Sequence, residues 1–486
     1  MAYAAWDNAA SDENYGSASQ PVTHARETFL KRFPGYAATA TLDEVRGRDF
    51  SRLDRLGHVY LDFTGSGLYA ESQVRQHTDR LLASVFGNPH SINPTSRAST
   101  DGVEHARQRV LDYFRADAGE YAVVFTANAS QALKLVGEAF PFDADSQFVL
   151  TFDNHNSVNG IREFARARGA ATHYVPVLPP SLRITDDVVQ TFLERGAGSR
   201  GPRLFAFPAQ SNFSGVQHPL NWVDRARALG YRVLLDAAAF APTNRLDLSV
   251  VKPDFVTLSF YKMFGYPTGI GALVVRRDAL AMLRRPWFAG GTIAVASVQA
   301  DQFRFAIGEA AFEDGTPDFL GLPAVSLGLD FIDAIGIEAI HDRVQTLTSW
   351  LLEELKSLAH PNGRPLVRLY GPWTGEYRGA TLAFNLVDAD GRVIDHATID
   401  EGASAERMSL RTGCFCNPGA GELAFGLSRT DITACLNHDP TGMTYDEFRS
   451  CIDPKAAGAV RASLGLASNF TDAWRLVELL KSFLDR

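Results

Sequence analysis

The chain has 486 residues, 45% hydrophobic, 11% aromatic and 21% charged, with a formal net charge of −9. That length supports a large core and more than one lobe, and that charge argues against a broad nucleic-acid footprint, which needs clustered Lys and Arg. No apolar run reaches the roughly 18 residues of a membrane span, Met1 to Gln20 lacks the pattern of a secretory signal, and four cysteines do not make a disulfide framework, so a cytoplasmic location is expected.

Residues 1–25 read as a loose arm. Residues 26–90 mix short patterns with turns, include the strand-like His58–Asp62, and are expected to join a smaller domain. Across residues 91–335 helical patterns alternate with apolar strands. The strand candidates are Ala122–Phe125, Gln147–Phe152, Arg203–Phe207, Arg232–Leu235, Phe255–Phe260 and Ala272–Val275. Several are continuous β-branched or aromatic runs, as strands buried on both faces should be. Helical patterns such as Ala132–Ala139 and Asp224–Leu229 fall between them. The alternation predicts a large α/β domain on a mostly parallel sheet. Over residues 336–486 the amphipathic Ile337–Leu358 and Trp474–Leu484 flank short strands such as Thr381–Leu386, which predicts a smaller α+β domain.

In open α/β sheets, ligands bind beyond the carboxyl ends of the strands, and the chemistry-bearing residues cluster there. Asp236 ends the run Arg232–Leu235 and precedes three alanines. A carboxylate in that place pairs with a protonated ring nitrogen of a cofactor, or else caps a helix. Lys262 follows Phe255–Phe260 and precedes a glycine-rich turn. Desolvation there lowers the amine pKa, which imine formation requires; a lysine snorkelling to the surface is the alternative. The stretch Thr126-Ala-Asn-Ala-Ser-Gln131 lies between strand and helix, where free amides and hydroxyls seat an anion or serve only as caps. His155, after Gln147–Phe152, stacks on a ring or moves protons, or is structural.

The segment Leu410-Arg-Thr-Gly-Cys-Phe-Cys-Asn-Pro-Gly-Ala420 puts two cysteines in a turn beside Arg411, the kind of positive charge a reactive thiolate needs. Two other readings stand beside it. The cysteines are inert packed residues, or Cys414, Cys416, Cys435 and His438 form a zinc site, though not at a standard spacing.

Together these motifs resemble class V, fold type I enzymes of pyridoxal 5′-phosphate (PLP). Within that class they are similar to the aminotransferase-like domain of molybdenum cofactor sulfurases, and more widely to cysteine desulfurases. The resemblance runs from about Val59 to the C-terminus. It rests on Val59-Tyr-Leu-Asp-Phe-Thr-Gly-Ser-Gly, Ser259-Phe-Tyr-Lys-Met-Phe-Gly-Tyr-Pro-Thr-Gly and Arg411-Thr-Gly-Cys-Phe-Cys-Asn-Pro-Gly-Ala, in that order. It implies an α/β fold with a seven-stranded type of sheet, and Lys262 as the residue that holds PLP as a Schiff base. Asp236 is implied as the partner of the pyridine nitrogen and His155 as the residue stacked on the ring. Ala127, Asn128, Ser259 and Tyr261 are implied around the phosphate. Thr316, in Glu313-Asp-Gly-Thr-Pro, is implied to reach the neighbouring subunit's phosphate in a homodimer with shared active sites. Asn212 and Arg461 are implied to bind the substrate carboxylate, which the planar arginine fork suits, and Cys416 to form a persulfide. The chain departs from the pattern at Gly421, Ala239 and Phe63, where relatives often carry cysteine, glutamine, and histidine or asparagine.

The implied activity is desulfuration of L-cysteine, with sulfur passing to Cys416, alanine released, and a sulfur-acceptor protein or small molecule as partner. A PLP-dependent lyase, C–S lyase or epimerase acting on another amino acid is the alternative, because fold alone does not set function. A cofactor-free or zinc-stabilised scaffold is a third reading. Neither nucleic acid, nor a membrane, nor a resident metal is expected in the leading one.

Overall fold

The structure is a computed structural model that describes residues 20–89, 91–437, 442–452 and 458–485. A helix at Gln20–Arg32 opens it, so helix begins inside the segment read as a loose arm. Val22 and Phe29, two turns apart on one face, are both buried there.

After β1 (Val59–Tyr60) come the strands of the large sheet. They are β2 (Tyr121–Thr126), β3 (Gln147–Thr151), β4 (Ala171–Val175), β5 (Arg203–Pro208), β6 (Arg232–Asp236), β7 (Phe255–Ser259) and β8 (Gly271–Arg276). The sheet has seven strands in the order β2-β8-β7-β6-β5-β3-β4. Only β8 runs antiparallel to its neighbours, so the carboxyl ends of the other six open on one edge. Both faces are covered. Val123 and Phe125 of β2 enter one core while Ala122 and Val124 enter another, which is why the strands read as continuous apolar runs. β4 escaped the sequence pattern because it is the edge strand, with His173 exposed and only Val175 fully buried.

β9 (Ile293–Ser297) and β10 (Gln302–Phe305) form a separate antiparallel hairpin. Beyond it lie β11 (Val367–Tyr370), β12 (Thr381–Leu386), β13 (Met408–Ser409), β14 (Arg411–Gly413) and β15 (Ala459–Ser463). An antiparallel sheet β11-β12-β15-β14 is covered by the helices Ile337–Ser357 and Phe470–Lys481. Its core takes in Phe29, Val59 and Leu61 from the start of the chain. Phe29 stacks on Phe470 at 4.6 Å, with Trp350 5.0 Å from the same ring.

The cysteines were not expected to make a disulfide framework, and among the described residues one pair is bonded. Cys435 is bonded to Cys451, joining the helices Arg429–Leu436 and Tyr445–Ile452. Its sulfur is therefore not a thiolate ligand, which removes Cys435 from the zinc alternative; His438 lies outside the described residues. No helix among the described residues is long and apolar enough to cross a membrane.

Candidate active site

β7 ends at Ser259, and the short helix Phe260–Phe264 follows at once with Lys262 in its middle. Gly265 ends that helix at φ 77°, a left-handed conformation glycine enters freely. A Cβ there would also stand 2.2 Å from the backbone nitrogen of Tyr69, so the chain crossing above requires glycine. Phe260, Met263 and Phe264 anchor the helix in the core. Lys262 lines a cavity of about 180 Å³ together with Asn128, His155, Asn212, Asp236, Ser259 and Tyr261. Burial pulls the Lys262 pKa down, Asp236 opposes the shift and Arg461 adds to it. More neutral amine is thus present, and the neutral amine is the form that attacks a carbonyl.

Asp236 closes β6, and a turn rather than a helix follows it, which disposes of the capping alternative. Its Oδ1 accepts from the Ala238 N–H at 3.0 Å and from Thr257 Oγ1 at 3.3 Å, fixing the carboxylate in the cavity wall. The turn after β3 is closed by buried Asn154, whose Nδ2 donates to the Thr151 and Ala206 carbonyls at 2.8 and 3.2 Å. That delivers His155, whose Nδ1 accepts from the Ser157 N–H at 3.1 Å. With Nδ1 accepting, the neutral ring carries its proton on Nε2. Burial lowers the His155 pKa, Asp236 opposing and Lys262 adding, so the ring is neutral at neutral pH.

Asn128 caps the eleven-residue helix Ala129–Ala139, its Oδ1 accepting from the Gln131 N–H at 3.0 Å. Ser259 Oγ accepts from the Ala129 N–H at 3.0 Å, and the Ser130 and Ser157 hydroxyls lie 2.6 Å apart. Hydroxyls and amides at the positive end of a helix are a donor set that suits phosphate. Ala127 lies apart from this cavity. It shares a second one, of about 310 Å³, with Gln131 and Thr316.

Arg461, 2% exposed, is bonded to Asn212, which lines the cavity. Its Nη1 donates to the Asn212 carbonyl at 2.9 Å and its Nη2 to Asp62 Oδ1 at 2.8 Å. Its guanidinium lies 4.7 Å from the centroid of the Phe415 ring. Burial lowers its pKa and Asp62 opposes; an arginine remains charged all the same.

β14 runs into the cysteine loop, where Phe415 and Cys416 both sit at φ 55°. Such backbone costs a side-chain-bearing residue on the order of 1 kcal/mol and persists only where surroundings enforce it. Here they do. The Asn156 N–H donates to the Cys416 carbonyl at 2.8 Å, and Asn212 Nδ2 to the Phe415 carbonyl at 2.7 Å. Buried Asn417 donates from Nδ2 to the Asp153 carbonyl at 2.7 Å and to Asn212 Oδ1 at 3.0 Å. The result is an exposed Cys416 on a docked loop, with Cys414 half-buried beside it. A Cys416 thiolate favours the protonated forms of Lys262 and Arg461, so it lies within electrostatic range of both. Exposure argues against the packed-cysteine reading for Cys416.

Two residues passed over in the sequence belong to the site. Gln210, buried beyond the end of β5, lines the Lys262 cavity, its Oε1 accepting from Gln217 Nε2 at 3.0 Å. Asp62, just past β1, holds Arg461. Both follow apolar strand runs, the same signal that marks Asp236. Among the described residues, no three His, Cys, Asp or Glu side chains converge to hold a metal ion.

Over residues 59–475 the chain matches the aminotransferase class-V family, and it belongs to that family. It is therefore an enzyme of the class that works with PLP, and its large sheet is the fold type I arrangement. Among its relatives, the molybdenum cofactor sulfurase of Solanum lycopersicum is 38% identical over 95% of this chain and 60% of its own length. The molybdenum cofactor sulfurase of Homo sapiens is 38% identical over 89% of this chain and 50% of its own. The chain thus spans about half to three-fifths of the length of these relatives. The apo structure of cysteine desulfurase from Thermococcus onnurineus superposes with a TM-score of 0.75 at 22% identity, over 91% of this chain and 98% of that one. That likeness supports the fold.

Proposed function

We propose that this chain removes sulfur from L-cysteine, carries it as a persulfide on Cys416, and releases alanine. The observation that carries the reading is the convergence of Lys262, Asp236 and His155 on one cavity, with Cys416 presented on a docked loop beside it. An amine of lowered basicity, a fixed carboxylate, a neutral imidazole and a helix N-terminus with hydroxyls are the groups PLP requires, so the residues fit the cofactor. When bound, PLP supplies a carbonyl for amines and a ring that accepts electrons.

Lys262 is the amine that holds it, and its Nζ, once free, is the base for the substrate α-proton. Asp236 keeps a proton on the cofactor's ring nitrogen. His155 offers the flat face of its ring. Asn128, Ser259 and the amides of the helix start seat the phosphate, with Tyr261 beside them; Ala127 adjoins Asn128 on the chain, its side facing the neighbouring cavity. Arg461 and Asn212 hold the substrate carboxylate. The Cys416 thiolate attacks the substrate sulfur: an S–S bond forms and the carbon–sulfur bond breaks. The electron pair stays on the carbon, which takes up a proton, and alanine leaves. The persulfide then passes its sulfur to an acceptor protein or small molecule.

We further propose a homodimer in a cytoplasmic setting. In support, Val298 and Ile307 on and after the β9–β10 hairpin are 100% and 95% exposed, and Ile307 lines one cavity of about 440 Å³ with exposed Ile92. Thr316, exposed on the same stretch of chain, is then available to the other subunit's phosphate seat. The function is tested by supplying L-cysteine and a thiol reductant to the PLP-loaded protein. Alanine and sulfide in equal amounts are expected; a loaded protein that forms no alanine would refute it.

A further inference from the structure

Asp62 grips two arginines at once. Its Oδ1 accepts from Arg461 Nη2 at 2.8 Å, and its Oδ2 from Arg411 Nε at 2.8 Å and Nη2 at 2.6 Å. Arg411 and Arg461 are register partners on β14 and β15. Without a carboxylate between them, two guanidiniums would repel each other across a single strand spacing. Asp62 is itself tightly fixed and 6% exposed. The Ser463 N–H donates to the Leu61 carbonyl at 2.7 Å, and the Gly65 and Ser66 N–H groups to the Asp62 carbonyl at 2.9 and 3.1 Å. A Cβ on Gly65 would stand 2.5 Å from Asp62 Oδ2, so the turn leaves room for this carboxylate and nothing more.

We propose that Asp62 is a positioning residue that aims Arg461 and sets the charge of the substrate-carboxylate site. The inference rests on Arg461 being the carboxylate binder. An arginine has five N–H donors. Asp62 takes one, the Asn212 carbonyl takes another, and the buried Nε has no partner among the described residues. Donors remain for a further anion. Two guanidiniums and one carboxylate leave a net charge of one positive unit, the complement of a single substrate carboxylate. Paired with Arg461 alone, Asp62 would cancel that charge; Arg411, gripping its other oxygen, restores it. A purely structural role, tying the N-terminal segment to the small sheet, predicts instead a loss that ignores what the ligand carries.

The test uses PLP-loaded wild type and Asp62→Asn, titrated with L-alanine and with ethylamine, which lacks only the carboxylate, and followed by cofactor absorbance. Asp62→Asn leaves two positive units, a charge that alone would tighten L-alanine, so the weakening expected reports lost aim: at least about tenfold for L-alanine, with ethylamine within about twofold of wild type. Equal weakening for both amines, or none for L-alanine, overturns the proposal. A wild type that binds L-alanine no better than ethylamine overturns the carboxylate-site reading beneath it, so the two failures are distinct. Should Asp62→Asn not fold, Asp62→Asn with Arg411→Gln keeps the net charge at one positive unit and isolates the aim of Arg461: L-alanine is again expected to weaken at least about tenfold and ethylamine to stay within about twofold.

Discussion

A Cβ placed on Gly419 would stand 2.0 Å from the carbonyl oxygen of Phe152, so the helix after the cysteine loop rests directly on the end of β3. That contact, with the Asn417 bonds to Asp153 and Asn212, ties Cys416 to the strand that delivers His155. Gly419→Ala is expected to lift the loop. Alanine formation should fall at least about tenfold, equivalent to about 1.4 kcal/mol in the barrier. Lys262 is held by other elements, so the cofactor's absorbance should be unchanged, and the two measurements together check the claim.

Asp236→Asn keeps the shape of the side chain but removes the charge that faces Lys262 and His155. Cofactor is expected to bind, while alanine formation drops by about 100-fold or more, some 2.7 kcal/mol. Turnover per bound cofactor is the measurement.

The pH dependence of the cofactor-free protein has a definite sign. The folded-state pKa of His155 is lowered by burial from its ordinary value of 6.5. Between the two values the unfolded chain binds more protons, so stability rises with pH until the ordinary value is passed. The burial cost is fully present below the lowered pKa. Melting temperature is therefore expected to rise as pH climbs from the lowered pKa to the ordinary value of 6.5, and to rise less in His155→Gln. An equal rise in the variant would assign the effect to other groups. Lys262 acts with the same sign at higher pH, its cost being relieved as pH approaches 10.5.

Val298 and Ile307 present side chains to solvent that a dimer would cover. Val298→Asp with Ile307→Asp is expected to convert a dimer to monomer in light scattering and to weaken PLP retention. A wild type that is monomeric at micromolar concentration would contradict the shared-site dimer.

The strands that deliver Asp236 and Lys262 were legible in the sequence because they are buried on both faces and written as uninterrupted apolar runs. Thr381–Leu386 matched its predicted bounds for the same reason, every residue of it being buried. β4 was not legible, because an edge strand with an exposed His173 lacks that signal. The Cys435–Cys451 bond was hidden because it depends on how two helices pack. The family resemblance implied Arg461 as a carboxylate binder, but its geometry depends on Asp62, 399 positions away in the chain, and on Arg411 across a strand pair. Such contacts follow from the fold, not from local pattern. Ala127 and Thr316 were expected at two different subunits' sites, and within one chain they line the same cavity.

The most direct test of the central claim is the mass of the Cys416 peptide after PLP-loaded protein meets one equivalent of L-cysteine without reductant. Desulfuration through this residue predicts a gain of one sulfur atom on Cys416 and one alanine released, with neither seen in Cys416→Ala. Alanine formed equally well by Cys416→Ala, with no added sulfur on the wild-type peptide, would contradict it.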